Sequence, residues 1–210
     1  MSDQAEQSAA ERRRERQRLH IIAQAEQLYV ENGGDNGGFE NTTVEAIAER
    51  SDISLRTFFR YFESKQDVIY LDSAQAILDL EKFTLARLET EPAARAALNG
   101  RLDQIRHFCS SKASRKRMRR ALQAPEFRDG LNKMRGKIEA KLASLLAPYF
   151  DGSLTERAEQ ARMTASLTTT LVAPMLTPDK LKASTNFDAE IAASQAKLER
   201  LLGQMSLTKN

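Results

Sequence analysis

The chain has 210 residues, which is enough for one core of ordinary size or for two small cores that share an interface. Hydrophobic residues make up 41% and charged residues 29%, which excludes a chain disordered throughout, while the net charge of +3 is too small to identify an anionic partner. The single cysteine, Cys109, excludes an internal disulfide, and no apolar run is long enough for a membrane helix or an export signal, so we expect a cytoplasmic protein with no metal site and no cofactor.

The N-terminal segment predicts a basic arm followed by a helix. Residues 1–17 are rich in arginine, and we expect a flexible arm that either reaches DNA or stays solvated while its glutamates pair locally with the arginines. From residue 19 to residue 29, apolar side chains recur every three or four positions, which is typical of an amphipathic helix. Gly33 is expected to end that helix.

Residues 42–71 predict short helices separated by turns. Thr42 supplies a hydroxyl cap for one helix, Ser54 can cap the next, and Ser64 with Asp67 can cap a third. Two short helices joined by a tight turn are the arrangement that enters the DNA major groove. The segment therefore predicts a helix-turn-helix.

The second helix of this predicted motif carries many donors around two phenylalanines, Phe58 and Phe62, that we expect to face inward. Arg56 is the best candidate for sequence recognition, because a guanidinium can bond guanine in bidentate fashion. Arg60, one turn later, is expected to position the protein on phosphates. The candidate DNA-binding residues from this pattern are Ser54, Leu55, Arg56, Thr57, Arg60, Tyr61 and Lys65.

The rest of the chain predicts further helices and no strand. One helix is expected over residues 127–145, ending near Pro148, and a capping box at Ser153 opens another that runs to about Val172. A final amphipathic helix is marked by Phe187, Ile191, Leu198, Leu202 and Met205.

The segments FENTTVEAIA at residues 39–48 and ISLRTFFRYFESK at residues 53–65 resemble the DNA-binding domain of TetR-family regulators. The resemblance implies an all-α fold, with a helix-turn-helix DNA-binding domain at 18–71 after the arm. It also implies a helical dimerisation and effector-binding domain at 72–210, in which the last two long helices form the interface of a homodimer.

The resemblance assigns roles to individual residues as well. In the family pattern Thr43 caps its helix near a phosphate, residues 54–57 face bases, and Phe59, Tyr61 and Lys65 contact the DNA backbone. The chain departs from the pattern at Phe59, where tyrosine is usual, and at Asp52, where glycine is usual. Residues 34–38 lengthen the first loop, and their glycines lead us to expect mobility.

Two features of the C-terminal half leave alternatives open. A basic run forms either a solvated face or a site for an acidic ligand, and it comprises Lys112, Arg115, Lys116, Arg117, Arg119 and Arg120. Spaced apolar residues either line an effector cavity or belong to the core, and they include Phe83, Phe108, Phe127, Met134 and Met163. Cys109 is expected to be a small buried hydrophobe.

Taken with these patterns, the resemblance implies a regulator that binds a palindromic operator in double-stranded DNA as a homodimer and is released by a small-molecule effector, whose contact residues the sequence does not identify. A ligand-independent regulator or an activator would have the same sequence features. A helical enzyme or ligand-binding protein is the other alternative, but the sequence offers no cluster of acid, base or nucleophile, so we expect no catalytic residues.

Overall fold

The computed structural model describes residues 2–34, 36–69, 73–182, 186–193 and 195–196. It divides into two compact units, residues 1–72 and residues 73–210. The described residues form helices and turns, with no strand among them, and none of their helices is both long and apolar enough to cross a membrane.

The helices of the N-terminal unit are α1 (Ser2–Glu31), α2 (Gly38–Asn41), α3 (Val44–Arg50), α4 (Leu55–Tyr61) and α5 (Lys65–Ile69). Those of the C-terminal unit are α6 (Ser73–Leu88), α7 (Ala93–Cys109), α8 (Lys112–Gln123), α9 (Arg128–Leu146) and α10 (Leu154–Val172).

Helix α1 is longer than predicted, because the segment expected to be a flexible arm is helical from Ser2. The physical reason is composition: alanine, glutamate, glutamine and arginine all favour helix, and residues 2–17 contain neither glycine nor proline. The end of the helix is as predicted. Gly33 has a φ of 118°, and the amide of Gly34 donates to the Tyr29 carbonyl at 2.8 Å, which closes the helix with a left-handed cap.

The N-terminal unit packs α1, α3, α4 and α5 around one small core. The predicted apolar stripe of α1 is buried from Ile22 to Tyr29 but not at Leu19, which is 50% exposed. Phe58 and Phe62 of α4 are 0% and 1% exposed, as predicted. Ile21, Ala25, Leu28, Ile47 and Val68 are also buried in this unit.

The C-terminal unit has two clusters of buried apolar residues. The first joins α6, α7, α9 and α10 and includes Leu80, Ala96, Ile138, Leu142 and Ala165. The second includes Leu102, Ile105, Cys109, Val172, Phe187 and Ile191, so Cys109 is buried as predicted. Of the residues weighed as cavity or core, Phe127 is buried and Met163 is 67% exposed, so Met163 is in neither.

The predicted helix boundaries of this unit agree closely with the structure. Helix α9 begins one residue after Phe127, and α10 begins with the predicted capping box, in which Ser153 and Glu156 bond each other's backbone amides, and ends at Val172. Residues 187–193 are helical, with Phe187 and Ile191 buried. The other residues of the predicted final helix, Leu198, Leu202 and Met205, lie outside the described residues.

Helices α6 and α7 approach each other closely at Gly100. A Cβ atom on Gly100 would lie 2.7 Å from the Cα atom of Thr84 and 2.9 Å from its amide nitrogen. Both are backbone atoms, so no side-chain rotation could relieve the clash. Glycine is therefore required here for the two helices to pack at this distance.

We predict that Gly100→Ala destabilises the protein by about 1–3 kcal/mol, because the added methyl group must push α7 away from α6. Gly136→Ala is the matched control, since a Cβ atom at Gly136 meets nothing within 4 Å and alanine favours helix. Thermal unfolding should show a lower Tm for the first variant and an unchanged or higher Tm for the second. Equal Tm values for the two variants would contradict the close approach.

Candidate DNA-binding surface

Helix α4 has one buried face and one exposed face, and the two phenylalanines determine which is which. Phe58 and Phe62 lie one turn apart with their ring centroids separated by 5.6 Å. Because successive helical residues are rotated by about 100°, positions 56 and 60 lie on the side opposite these rings. Arg56 and Arg60 are both exposed. The buried rings therefore orient the two arginines towards solvent.

The turn between α3 and α4 has the backbone geometry of a left-handed helix cap. Asp52 has a φ of 54°, its amide donates to the Glu49 carbonyl at 3.0 Å, and the Ile53 amide donates to the Ala48 carbonyl at 3.0 Å. This pattern usually takes glycine at the left-handed position, and aspartate adopts that conformation more readily than most residues. The tight turn is thus formed despite Asp52.

Both helices of the motif begin with a hydroxyl cap. The Thr43 side chain accepts from the Ala46 amide at 3.1 Å, and the Ser54 side chain accepts from the Thr57 amide at 3.1 Å. The prediction that Thr42 supplies the first cap is wrong. Thr42 is buried, and its hydroxyl donates to the Gly38 carbonyl at 2.6 Å. Thr43 has the extended backbone conformation that an N-cap requires, so Thr43 is the N-cap of α3.

The exposed surface of α4 also carries apolar side chains. Leu55 is 41% exposed and Phe59 is 56% exposed, with the Phe59 ring in edge contact with Phe58. The Arg60 guanidinium lies 5.4 Å from the ring centre of Tyr61, at the end of the helix. Residues 55, 56, 59 and 60 thus present a mixed apolar and cationic face on one short helix, and this face suits base edges and phosphates together.

Lys65 is tied to the rest of the N-terminal unit. Its Nζ atom donates to the Phe39 carbonyl at 2.7 Å and lies 4.1 Å from the centre of the Phe39 ring. Burial lowers the pKa of Lys65 from its ordinary value, and the charge of Glu40 opposes that shift. The ammonium group has three donors. Lys65 therefore fastens α2 to α5 in addition to any contact it makes with DNA.

The glycine-rich loop is closed by two asparagines that the sequence analysis overlooked. The Asn32 side chain donates to the Asn41 carbonyl and the Asn41 side chain donates to the Asn32 carbonyl, both at 3.2 Å. Asn32 also donates to the Thr42 hydroxyl at 3.1 Å. The loop was expected to be mobile, but its ends are joined next to the cap of α3. Two asparagines flanking a run of glycines were the available signal.

The basic segment of α1 presents several arginines to solvent. Arg13, Arg14 and Arg16 are exposed, whereas Arg18 is paired with Glu15 through two bonds of 2.8 and 2.6 Å. Of the two alternatives for the arm, local pairing is thus realised at Arg18. The remaining arginines lie on a helix that continues into the DNA-binding unit.

Comparison with known proteins supports a DNA-binding role for the N-terminal unit. Residues 21–69 match the family model described as bacterial regulatory proteins, tetR family. The chain is 37% identical over 83 residues to the HTH-type transcriptional regulator TcmR of Streptomyces glaucescens, and that match covers 40% of this chain and 33% of TcmR. It is 29% identical over 147 residues to the transcriptional regulator MftR of Mycobacterium tuberculosis, covering 69% of this chain and 71% of MftR.

A solved structure shows the same fold. The crystal structure of a TetR-family regulator from Streptomyces coelicolor superposes with a TM-score of 0.56 over 90% of this chain and 95% of that one, at 17% sequence identity. This likeness concerns the fold alone. The family model matched by residues 21–69 and the two regulators named above support a TetR-family transcriptional regulator.

Proposed function

We propose that this protein is a transcriptional repressor that binds a palindromic operator as a homodimer and leaves it when a small molecule binds the C-terminal unit. The observation that carries the proposal is the orientation of α4, in which buried Phe58 and Phe62 hold exposed Arg56 and Arg60 on the opposite face. Such a helix can enter a major groove by its N-terminal end. The protein would act in the cytoplasm, where DNA is accessible and the single thiol stays reduced.

The residues proposed to contact DNA fall into two groups. Leu55, Arg56 and Thr57, at the start of α4, are placed to meet base edges, with Ser54 as their cap. The groups proposed to contact the backbone are Thr43, Phe59, Arg60, Tyr61 and Lys65. Phe59 lacks the hydroxyl of a tyrosine, so it can offer apolar contact but no hydrogen bond.

We predict that Arg56→Ala weakens binding to the best operator by about 1–3 kcal/mol and makes the protein tolerant of substitution at one base pair of each half-site. Arg60→Ala is the matched control, since Arg60 shares the same face and is expected to lower affinity for all sequences alike. Fluorescence anisotropy on a set of single-base operator variants measures both. If Arg56→Ala lowered the affinity for all operator variants equally, Arg56 would contact the DNA backbone rather than a base.

Operator symmetry provides a second prediction. A dimer with two α4 helices contacts half-sites one helical turn apart, so inserting about five base pairs between the half-sites turns one of them to the far side of the duplex. Affinity should fall close to that for random DNA, whereas inserting a full turn should restore more of it. Unchanged affinity after the half-turn insertion would exclude a symmetric dimer as the binding species.

An exposed apolar face on α10 supports dimerisation. Met163 and Leu167, one turn apart, are 67% and 56% exposed, while Ala161 and Ala165 on the opposite side pack into the core. Large exposed apolar residues at adjacent turns are expected where another surface covers them. We propose a second copy of this chain as that surface, because the family resemblance assigns the interface to the last long helices.

We predict that Leu167→Glu converts the dimer to a monomer, because it places a charge in an apolar interface. Leu78→Glu is the control, since Leu78 is 58% exposed but lies on α6. Sedimentation velocity gives the mass of each variant, and circular dichroism verifies that both remain helical. Should Leu167→Glu remain dimeric, α10 is not the interface.

Two other functions use the same features. A ligand-independent regulator or an activator would share the DNA-binding surface and differ only in its response to an effector. A helical enzyme or a binding protein without a DNA function is less well supported, because the family evidence points to a DNA-binding regulator.

A further inference from the structure

The interior of the C-terminal unit contains an arginine that has no acidic partner among the described residues. Arg101 of α7 is 9% exposed. Its Nη1 group donates to the side-chain oxygen of Gln104, which is neutral, and its Nε group is buried without an acceptor. The carboxylate nearest in sequence, Asp103, is bound instead by Arg87 at 2.8 Å and by Arg106 at 2.7 Å.

The charge of Arg101 is not relieved by loss of its proton. Burial lowers the pKa of Arg101 to about 10, which still leaves the guanidinium protonated at neutral pH. A buried charge without a counter-charge is strongly destabilising, so such groups are ordinarily paired. Burial of Arg101 therefore lowers the stability of the folded protein, and an anion from outside the described residues would offset this loss.

A second arginine lies in the same region. Arg115, on the first turn of α8, also has a buried Nε group without an acceptor. Burial raises the pKa of the Cys109 thiol to about 12, and the charges of Arg115 and Arg101 both oppose this shift. Both guanidinium groups are thus within electrostatic range of one sulfur atom, at the place where α7 ends and α8 begins.

The neighbouring segments of the chain supply positive charge and apolar side chains. Helix α8 has six cations and no carboxylate in its 12 residues, so its charge would draw anions towards this end of the unit. Leu102, Ile105 and Cys109 follow Arg101 along α7, and their side chains belong to the second buried apolar cluster. A ligand that meets both features carries an acidic group on an apolar body.

A hydrogen-bonded chain leads from Arg101 to the first turn of α6. Gln104, which holds the Arg101 guanidinium, donates from Nε2 to the Ala76 carbonyl at 2.5 Å. Helix α6 begins at Ser73, immediately after the N-terminal unit ends. An anion that drew Arg101 away from Gln104 would therefore change a contact at the start of the helix that follows the DNA-binding unit.

We propose that Arg101, assisted by Arg115, binds the carboxylate of an acidic, largely apolar effector, and that Gln104 transmits its arrival to α6. The Nε group of Arg101 lies on the edge of the guanidinium that binds carboxylates in bidentate fashion. The binding site stands on the described side chains, whereas its effect on DNA rests on the proposed function above. The basic run of α8 accordingly contributes to an acidic-ligand site rather than a merely solvated face.

The first test needs no ligand. Arg101→Met removes the buried charge, which should raise the Tm, and leaves the Gln104 side-chain oxygen without a donor, which should lower the Tm by a smaller amount. The Tm of this variant should therefore equal or exceed that of the unmodified protein. Arg106→Met is the control, because Arg106 pairs with Asp103 and is 39% exposed, and it should show no gain. A Tm for Arg101→Met more than about 4 °C lower would mean that Arg101 is already paired within the protein, and would overturn the proposal.

The second test uses acids with their neutral analogues. Benzoate and octanoate, compared with benzamide and octanamide at constant ionic strength, should raise the Tm of the unmodified protein in a saturable way, while the amides should not. The shift should vanish in Arg101→Met and shrink in Arg101→Lys, which keeps the charge but loses the planar edge. Equal shifts for acid and amide, or a full shift in Arg101→Met, would refute the site.

The third test separates this site from the proposed function. Either acid that shifts the Tm should weaken operator binding at least about fivefold, and Gln104→Leu should keep the Tm shift but lose this effect on DNA. If no operator is found, the repressor proposal fails while the Tm results still decide the anion site. If the acids shift the Tm but leave the operator affinity unchanged, the transmission through Gln104 is wrong.

Discussion

The packing of Phe58 and Phe62 into the N-terminal core is the constraint on which the DNA-binding surface depends. Helix α4 is only 7 residues long, and helices of this length are not stable by themselves. Its helical state and its orientation both derive from the burial of these two rings. Once they are fixed, helical geometry leaves no freedom for positions 56 and 60, which must face solvent.

The remaining contacts of the N-terminal unit support that arrangement from its edges. The left-handed turn at Asp52 sets the angle at which α4 leaves α3. Lys65 fastens the short helix α2 to α5, and the paired asparagines Asn32 and Asn41 fasten it to the end of α1. None of these groups lies on the outward face of α4. Asp52 and the two asparagines act by positioning the helix, so substitution at any of these three should alter DNA binding through geometry, whereas Lys65 combines such positioning with its proposed contact to the DNA backbone.

The sequence predicted the helices and the outward face of α4, because both follow from local periodicity and capping. Three features were beyond it. To predict the helical arm, the helix propensity of residues 2–17 had to be weighed against the repulsion between their many like charges. The asparagine pair joins residues on either side of an unusual loop. The burial of Arg101 within a basic unit depends on how α6, α7 and α8 pack, which periodicity does not reveal.

Selection of binding sites from random-sequence DNA tests the central claim most directly, followed by affinity for the selected site at several salt concentrations. A DNA-binding dimer of this kind should enrich a palindrome, bind it at least about a thousandfold more tightly than random DNA, and lose affinity steeply as salt rises, because phosphate contacts release counterions. A protein that enriches no sequence and whose affinity does not depend on salt would contradict the assignment of α4 as a DNA-reading helix.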